Sequence, residues 1–173
     1  MNQTGRNLSG KGLFFMRRQE RQISDALAID GILREGKICR LGIKDPAVAA
    51  PYVVPVNYGY EWRKDRLRMV FHGACAGRKY DLLRGGSHVG FEVDCGHLLL
   101  PGPTACQHGA AYRSVIGVGK VCMLTDVDEK RQATDLLMIC QTGRVFPIEE
   151  DVLVETAVYE LLVETFTAKS CGL

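Results

Sequence analysis

The chain has 173 residues, 46% of them hydrophobic and 24% charged, with a formal net charge of +2. That length suits one domain with a substantial core, and so small a charge excludes nucleic-acid binding driven by the overall field. Seven cysteines without a CxxC pair, and no secretory pattern in residues 1–15, point to reduced thiols and a cytoplasmic location; no apolar run approaches membrane-spanning length.

Residues 1–15, "MNQTGRNLSGKGLFF", carry glycine and polar residues without periodicity and read as a flexible N-terminal tail. Residues 16–173 read as a single domain. Ser24 or Asp25 can cap a first helix whose apolar stripe is Leu27, Ile32 and Leu33, with Gly36 as its stop. Strands follow. "KICRLGI" puts Cys39, Leu41 and Ile43 on one face, and "PYVVPVNYGYEW" is rich in β-branched and aromatic residues. Its Pro55 removes a ladder donor and predicts an edge strand or a bulge. "DRLRMVFH" alternates, with Leu67, Met69 and Phe71 facing one way and Arg66, Arg68, Val70 and His72 the other.

A short helix over Arg78–Arg84 ends at Gly85-Gly86. "HVGFEVD" groups Val89, Phe91 and Val93. "YRSVIGVGKVCML" is a long strand, and its Gly117 and Gly119 permit a bend or bulge. Val115, Val121 and Met123 lie on one side of it, and Ile116, Val118, Cys122 and Leu124 on the other. One face can fill a barrel while the other meets a partner chain. A second helix, capped by Thr125, runs through "VDEKRQATDLLMICQ" to Gly143. The last strand, "AVYELLVETF", sets Ala157, Tyr159, Leu161 and Val163 on one side. Six strands, few helices and no βαβ alternation predict a mainly β protein built as a small antiparallel barrel.

Three stretches carry candidate chemistry. In "FHGACAGRKYDLL" a strand ends at His72, and Gly73, Ala74 and Ala76 let a ligand approach the backbone. Gly77 then opens a helix beside Arg78 and Lys79, an arrangement that suits a phosphate. It is not a P-loop, since GxxxxGK[ST] is absent. The same residues also read as a solvated basic pair at a helix start, and the pattern alone leaves both open. In "YRSVIG", Arg113 and Ser114 could contact a phosphate or sugar, or belong to an ordinary barrel strand. In "VVPVNYG", Asn57 and the backbone around Pro55 could meet a flat heterocycle, or form a plain edge strand. Cys95/His97 and Cys106/His108 form two C-x-H pairs, but spacing of one residue is unlike structural zinc sites, and no metal is expected.

The ordered motifs "MRRQERQI", "VPVNYGYE", "FHGACAGRKYDLL", "FEVDC" and "YRSVIGVGKV" closely resemble the 5-nitroimidazole resistance (Nim) family. That family belongs to the FMN-binding split barrels related to pyridoxamine 5′-phosphate oxidase. The resemblance spans Met16 to Ala168. It implies a six-stranded antiparallel split β-barrel and a homodimer with FMN at its interface. It places the phosphate near Gly77, Arg78 and Lys79, with Arg113, Ser114 and Val115 contributing. The isoalloxazine would lie along Val54, Pro55, Val56 and Asn57, next to His72, Gly73 and Ala74. His72 matches the family's active-site histidine. The sequence departs from the pattern with "HGA" for "HSA", so Gly73 replaces a serine, and it departs again around His108. The implied activity is FMN-dependent transfer of electrons from a reduced nicotinamide to a small-molecule acceptor such as a nitro-aromatic. Oxidation of pyridoxamine phosphate, or flavin, deazaflavin or haem binding without turnover, remain the alternatives.

Overall fold

In the computed structural model residues 17–172 are described, so the tail expected over 1–15 lies outside them. In chain order the elements are β1 (Gln22–Ile23), α1 (Ala26–Glu35), β2 (Ile38–Ile43), β3 (Tyr52–Asn57), β4 (Gly59–Arg63), β5 (Arg66–Ala74), α2 (Arg78–Leu83), β6 (Ser87–Leu100), β7 (Gly109–Leu124), α3 (Val127–Thr142), α4 (Glu150–Val154) and β8 (Thr156–Cys171). All strands pair antiparallel, in the order β3-β2-β6-β7-β8-β5-β4, with β1 added to β8. The two ends of that ribbon, β3 and β4, are separated in sequence by Tyr58 alone. The sheet therefore curls until its ends meet, which makes it a barrel.

There are eight strands rather than six, for two local reasons. "PYVVPVNYGYEW" breaks at Tyr58, and a two-residue strand joins β8 before α1. Tyr58 is buried, and its hydroxyl is shared between the carbonyls of Leu33 at 2.7 Å and Gly36 at 3.0 Å. It pins the end of α1 to the strand junction. Pro55 sits on β3 at the edge of the ribbon, paired only with β2, so its missing N–H costs no ladder bond on the open side.

The inward faces match the alternation of the sequence. Cys39, Leu41 and Ile43 on β2, Leu67, Met69 and Phe71 on β5, Val89, Phe91 and Val93 on β6, and Tyr159 and Leu161 on β8 fill one core. Helix α1 plugs it with Ile29, Ile32 and Leu33. Full burial of such side chains is worth about 1.5–3 kcal/mol each. Asp25 caps α1 through the Ala28 amide at 2.8 Å. Leu27, expected on the buried stripe, is instead 78% exposed, because the stripe starts at Ile29 and the Leu27 side of the helix faces away.

A second cluster lies outside the barrel wall. Val70, Leu124 and Val158 point outward and are covered by Ala133 and Leu137 of α3. Leu124 thus belongs to an internal contact and not to an open partner face. Asp126, one residue later than expected, caps α3 by accepting from the Glu129 amide at 3.0 Å, and Gly143 ends the helix in the left-handed conformation. The bulge expected in β7 falls on its neighbour instead: the β7–β8 register shifts between Val118 and Gly119 because Glu164 of β8 is the extra residue, while Gly117 and Gly119 leave room for the β8 backbone pressed against them. Lys130 of α3 is buried and donates to the carbonyls of Leu153 (2.9 Å), Val154 (3.3 Å) and Thr156 (2.9 Å), tying α4 to the start of β8.

Candidate functional site

The barrel is split where β4 stops short. On one edge of β5, β4 pairs with Arg66–Val70 only; on the other edge, β8 pairs with Arg68–Ala74. Phe71–Ala74 therefore have one open edge. Strand β3 pairs only with β2 and lies beside β5. The topology thus sets Val54–Asn57 and His72–Ala74 along the two sides of one slot. Alternation leaves Pro55 and Asn57 exposed and buries Val56. The Asn57 side chain is already engaged, donating to Lys37 O at 3.2 Å and to Gln141 Oε1 at 3.4 Å. What β3 offers the slot is its open backbone edge.

The turn after β5 closes one end of this slot. Gly77 has φ 93°, a conformation other residues rarely adopt, and this aims the start of α2. The first N–H groups of a helix have no partner inside it. Lys79 turns back over β5, and its ammonium donates to His72 O at 3.0 Å. A Cβ on Gly73 would stand 2.5 Å from Lys79 Nζ. Glycine in place of the expected serine therefore makes room for the lysine. Partial burial holds the Lys79 pKa below its ordinary value. His72 is also held low, first by desolvation and then by the neighbouring Lys79 charge.

Arg78 is used differently from Lys79. Its Nε and Nη2 donate to Asp45 Oδ2 at 2.9 and 2.8 Å, and its guanidinium lies over the Tyr52 ring at 4.7 Å. It ties α2 to the loop between β2 and β3 and to the first residue of β3, so it spans the slot. The Asp45 carboxyl is held below the usual range by the Ala47 amide and then by Arg78.

Arg113, Ser114 and Val115 are not brought to that end. They pair with Cys95, Asp94 and Val93 on β6. Arg113 donates to Glu35 Oε2, at the end of α1, at 2.5 Å. The Asp45–Arg78 pair follows β2 and the Glu35–Arg113 pair precedes it. Six residues of strand, on the order of 20 Å, separate the two. Neighbours on a strand also face opposite sides, so Ser114 shares the outward face with Ile116 while Arg113 and Val115 do not. Val115 is buried in the core. Ser114 Oγ and Arg113 Nε are buried and have no hydrogen-bond partner.

The C-x-H pairs do not converge. Cys95 is buried, Cys106 is exposed, and His97 is bonded to Asp94 Oδ2 at 2.6 Å and stacked on Tyr112. Among the described residues no group of three or more His, Cys, Asp or Glu could hold a metal ion. No helix among them is long and apolar enough to cross a membrane.

The sequence profile described as pyridoxamine 5′-phosphate oxidase matches residues 25–170. The chain belongs to the pyridoxamine 5′-phosphate oxidase family. Among solved structures of this fold, a protein described as a candidate 5-nitroimidazole antibiotic resistance protein from Bacteroides thetaiotaomicron is 29% identical, with a TM-score of 0.74 over 86% of both chains. The flavocytochrome Anf3 from Azotobacter vinelandii matches at 21% identity and TM-score 0.74, over 92% of this chain and 73% of its own. An FAD and haem binding protein from Mycobacterium smegmatis matches at 17% and 0.74, over 88% and 74%. The last two show the shared split-barrel fold. No curated protein matches the chain.

Proposed function

We propose that the protein is an FMN-dependent oxidoreductase that takes electrons from a reduced nicotinamide and passes them to a nitro-aromatic or similar acceptor. The observation that carries this reading is the slot itself. Two open strand edges face each other, with a histidine on one wall and a lysine ammonium at the closed end. Family membership and the likeness to the Bacteroides protein support it.

The residues fit a flavin mononucleotide. Lys79 has a main-chain oxygen as its partner and would exchange it for the stronger bond to a phosphate. Arg78 keeps exposed donors beyond those given to Asp45. The open edge of β3 supplies backbone N–H and C=O groups for a heterocycle, and Ala74 and Gly73 let it come close. Bound flavin would accept a hydride and release electrons to the acceptor. The chain would then bind, orient and protonate. His72 stands beside the slot with its pKa held below the ordinary imidazole value; its protonated form, replenished from solvent, would hand over a proton as the acceptor is reduced.

Of Arg113 and Ser114, Ser114 would enter through a second copy, while Arg113 stays tied to Glu35 on the other face. Ser114 lies on the outward face of β7 with its hydroxyl unpaired. On the same face Ile116 is 38% exposed. A homodimer about a two-fold axis would cover these side chains and bring the partner's hydroxyl toward the slot.

The visible spectrum of the purified protein, followed by release and identification of the chromophore, tests the cofactor. Steady-state turnover with a nicotinamide donor tests the enzyme. The family match also favours a second reading, oxidation of pyridoxamine phosphate. Product analysis with that amine separates the two, and bound flavin without turnover would leave a binding protein.

A further inference from the structure

One edge of β8 is covered by β7 along nearly its whole length. The other is covered in two pieces. Strand β5 takes Thr156–Leu162, and β1 takes Ala168 and Lys169. Residues 163–167 between them have no strand on that side among the described residues. Here β8 carries its bulge and leaves β5, and a groove of about 660 Å³ opens between them.

The groove has an apolar floor and a cationic mouth. Leu67 and Phe166 form the floor, and Trp62 packs on Phe166 with ring centroids 6.1 Å apart. Arg66 and Lys120 stand at the mouth, both exposed and neither in an ion pair among the described residues. Arg63, also at the mouth, is tied only to Glu61. Arg68 is paired with both Glu61 and Glu160. Asp65 and Glu164 also line the groove, and Glu164 is bonded to His88. Thr165, on the wall, has a buried hydroxyl with no partner.

We infer that this groove is a second binding site, for a small amphipathic anion: a carboxylate or phosphate on an apolar body. Unpaired cations would take the anionic group, Thr165 Oγ1 would gain the hydrogen bond it lacks, and the floor would receive the hydrocarbon or ring. The site is separate from the slot. Arg66 stands six positions before His72 on β5, on the order of 20 Å away.

Calorimetric titration of the flavin-saturated protein with anilinonaphthalene sulfonate, an amphipathic aromatic anion, tests it. One saturable site per chain is expected. The double variant Arg66→Ala/Lys120→Ala should weaken it about tenfold or more, and Lys120→Arg in place of Lys120→Ala should restore most of the affinity. Thr165→Val keeps the shape of the side chain and should weaken binding severalfold with unchanged circular dichroism. Competition by octanoate or by phenyl phosphate then tells an acyl carboxylate from an aryl phosphate. Absence of a saturable site, or the same affinity in the folded double variant, overturns the inference whatever the flavin does in the slot.

Discussion

Lys79 Nζ donates to the main-chain oxygen of His72 at 3.0 Å, lying over Gly73 where no side chain blocks it. The ammonium is half-desolvated and its pKa held down, so a nearby anion would stabilise its charged form. Lys79→Ala should weaken FMN binding by about 1.5–3 kcal/mol, one charge-assisted hydrogen bond, which is roughly ten- to hundredfold. Gly73→Ala pushes the lysine aside and should do much of the same damage. The two effects should overlap in the double variant, measured by quenching of flavin fluorescence. Simple additivity would mean that Gly73 does not act through Lys79.

His72 gives a pH signature with a definite sign. Its pKa in the folded chain lies below the ordinary imidazole value of about 6.5. The unfolded chain therefore binds the extra proton first. The stability tied to neutral His72 is fully present above the unfolded value and is lost as pH falls through the folded one. Proton donation runs the other way, since the charged form grows as pH falls. Turnover per bound flavin should therefore rise on acidification below neutrality. His72→Ala should abolish that rise and lower turnover by roughly a hundredfold. An unchanged pH–rate profile in the variant would remove His72 from the chemistry.

The elements were legible wherever they depend on neighbours in sequence. Alternation placed Cys39, Leu41, Ile43, Phe91 and Tyr159 inward, as found. The GRK turn was visible because Gly77, Arg78 and Lys79 are consecutive. The slot was not visible as such, because it depends on where β4 ceases to pair with β5, and no local pattern marks Val70 as that limit. Asp45 was missed for the same reason. Its partner Arg78 is 33 residues away, and "KDPAV" reads as an ordinary turn. Arg113 and Ser114, adjacent in sequence, are separated by the pleat onto opposite faces, and one chain cannot bring both to the turn at Lys79. Leu27 and Lys130 fail by the reverse rule: packing left an apolar residue out and drew a lysine in.

Lys130 is a structural clamp. It satisfies three carbonyls at the α4–β8 junction from a buried position. Lys130→Met fills similar space but leaves those acceptors without a donor. The expected cost is about 3 kcal/mol, which lowers Tm by roughly 6–12 °C for a chain of this size. Thermal unfolding by circular dichroism checks this. A Tm within a degree of the parent would mean that water replaces the ammonium at no cost.

The Arg78–Asp45 pair poses a question of competition. Asp45 Oδ2 takes two of the donors that a phosphate would also use. The Arg78 half of the pair is exposed and the Asp45 half is covered, but the asparagine of an Asp45→Asn variant would keep an oxygen for the Ala47 amide, and a pair open to solvent on one side adds little to folding, about 0–1 kcal/mol. Asp45→Asn should therefore leave Tm nearly unchanged while freeing Arg78, and FMN affinity should increase severalfold. If affinity falls instead, the pair serves to hold α2 against β3, and Arg78 acts as a strut across the slot.

Ser114 separates a ligand role from a folding role. The residue is 4% exposed, and its buried hydroxyl has no partner among the described residues. An unpaired buried hydroxyl costs stability. Ser114→Ala should therefore leave the flavin-free protein as stable as the parent or slightly more so. If a second copy brings this hydroxyl to the flavin, the same change should weaken FMN binding by about 1 kcal/mol. Ile116→Glu attacks the proposed contact from the same face, and light scattering should then give the mass of one chain. Loss of flavin affinity should accompany loss of the dimer. A protein that is already monomeric with flavin bound, or an Ile116→Glu variant that keeps both the dimer and the flavin, would overturn this interface and leave Ser114 without a partner.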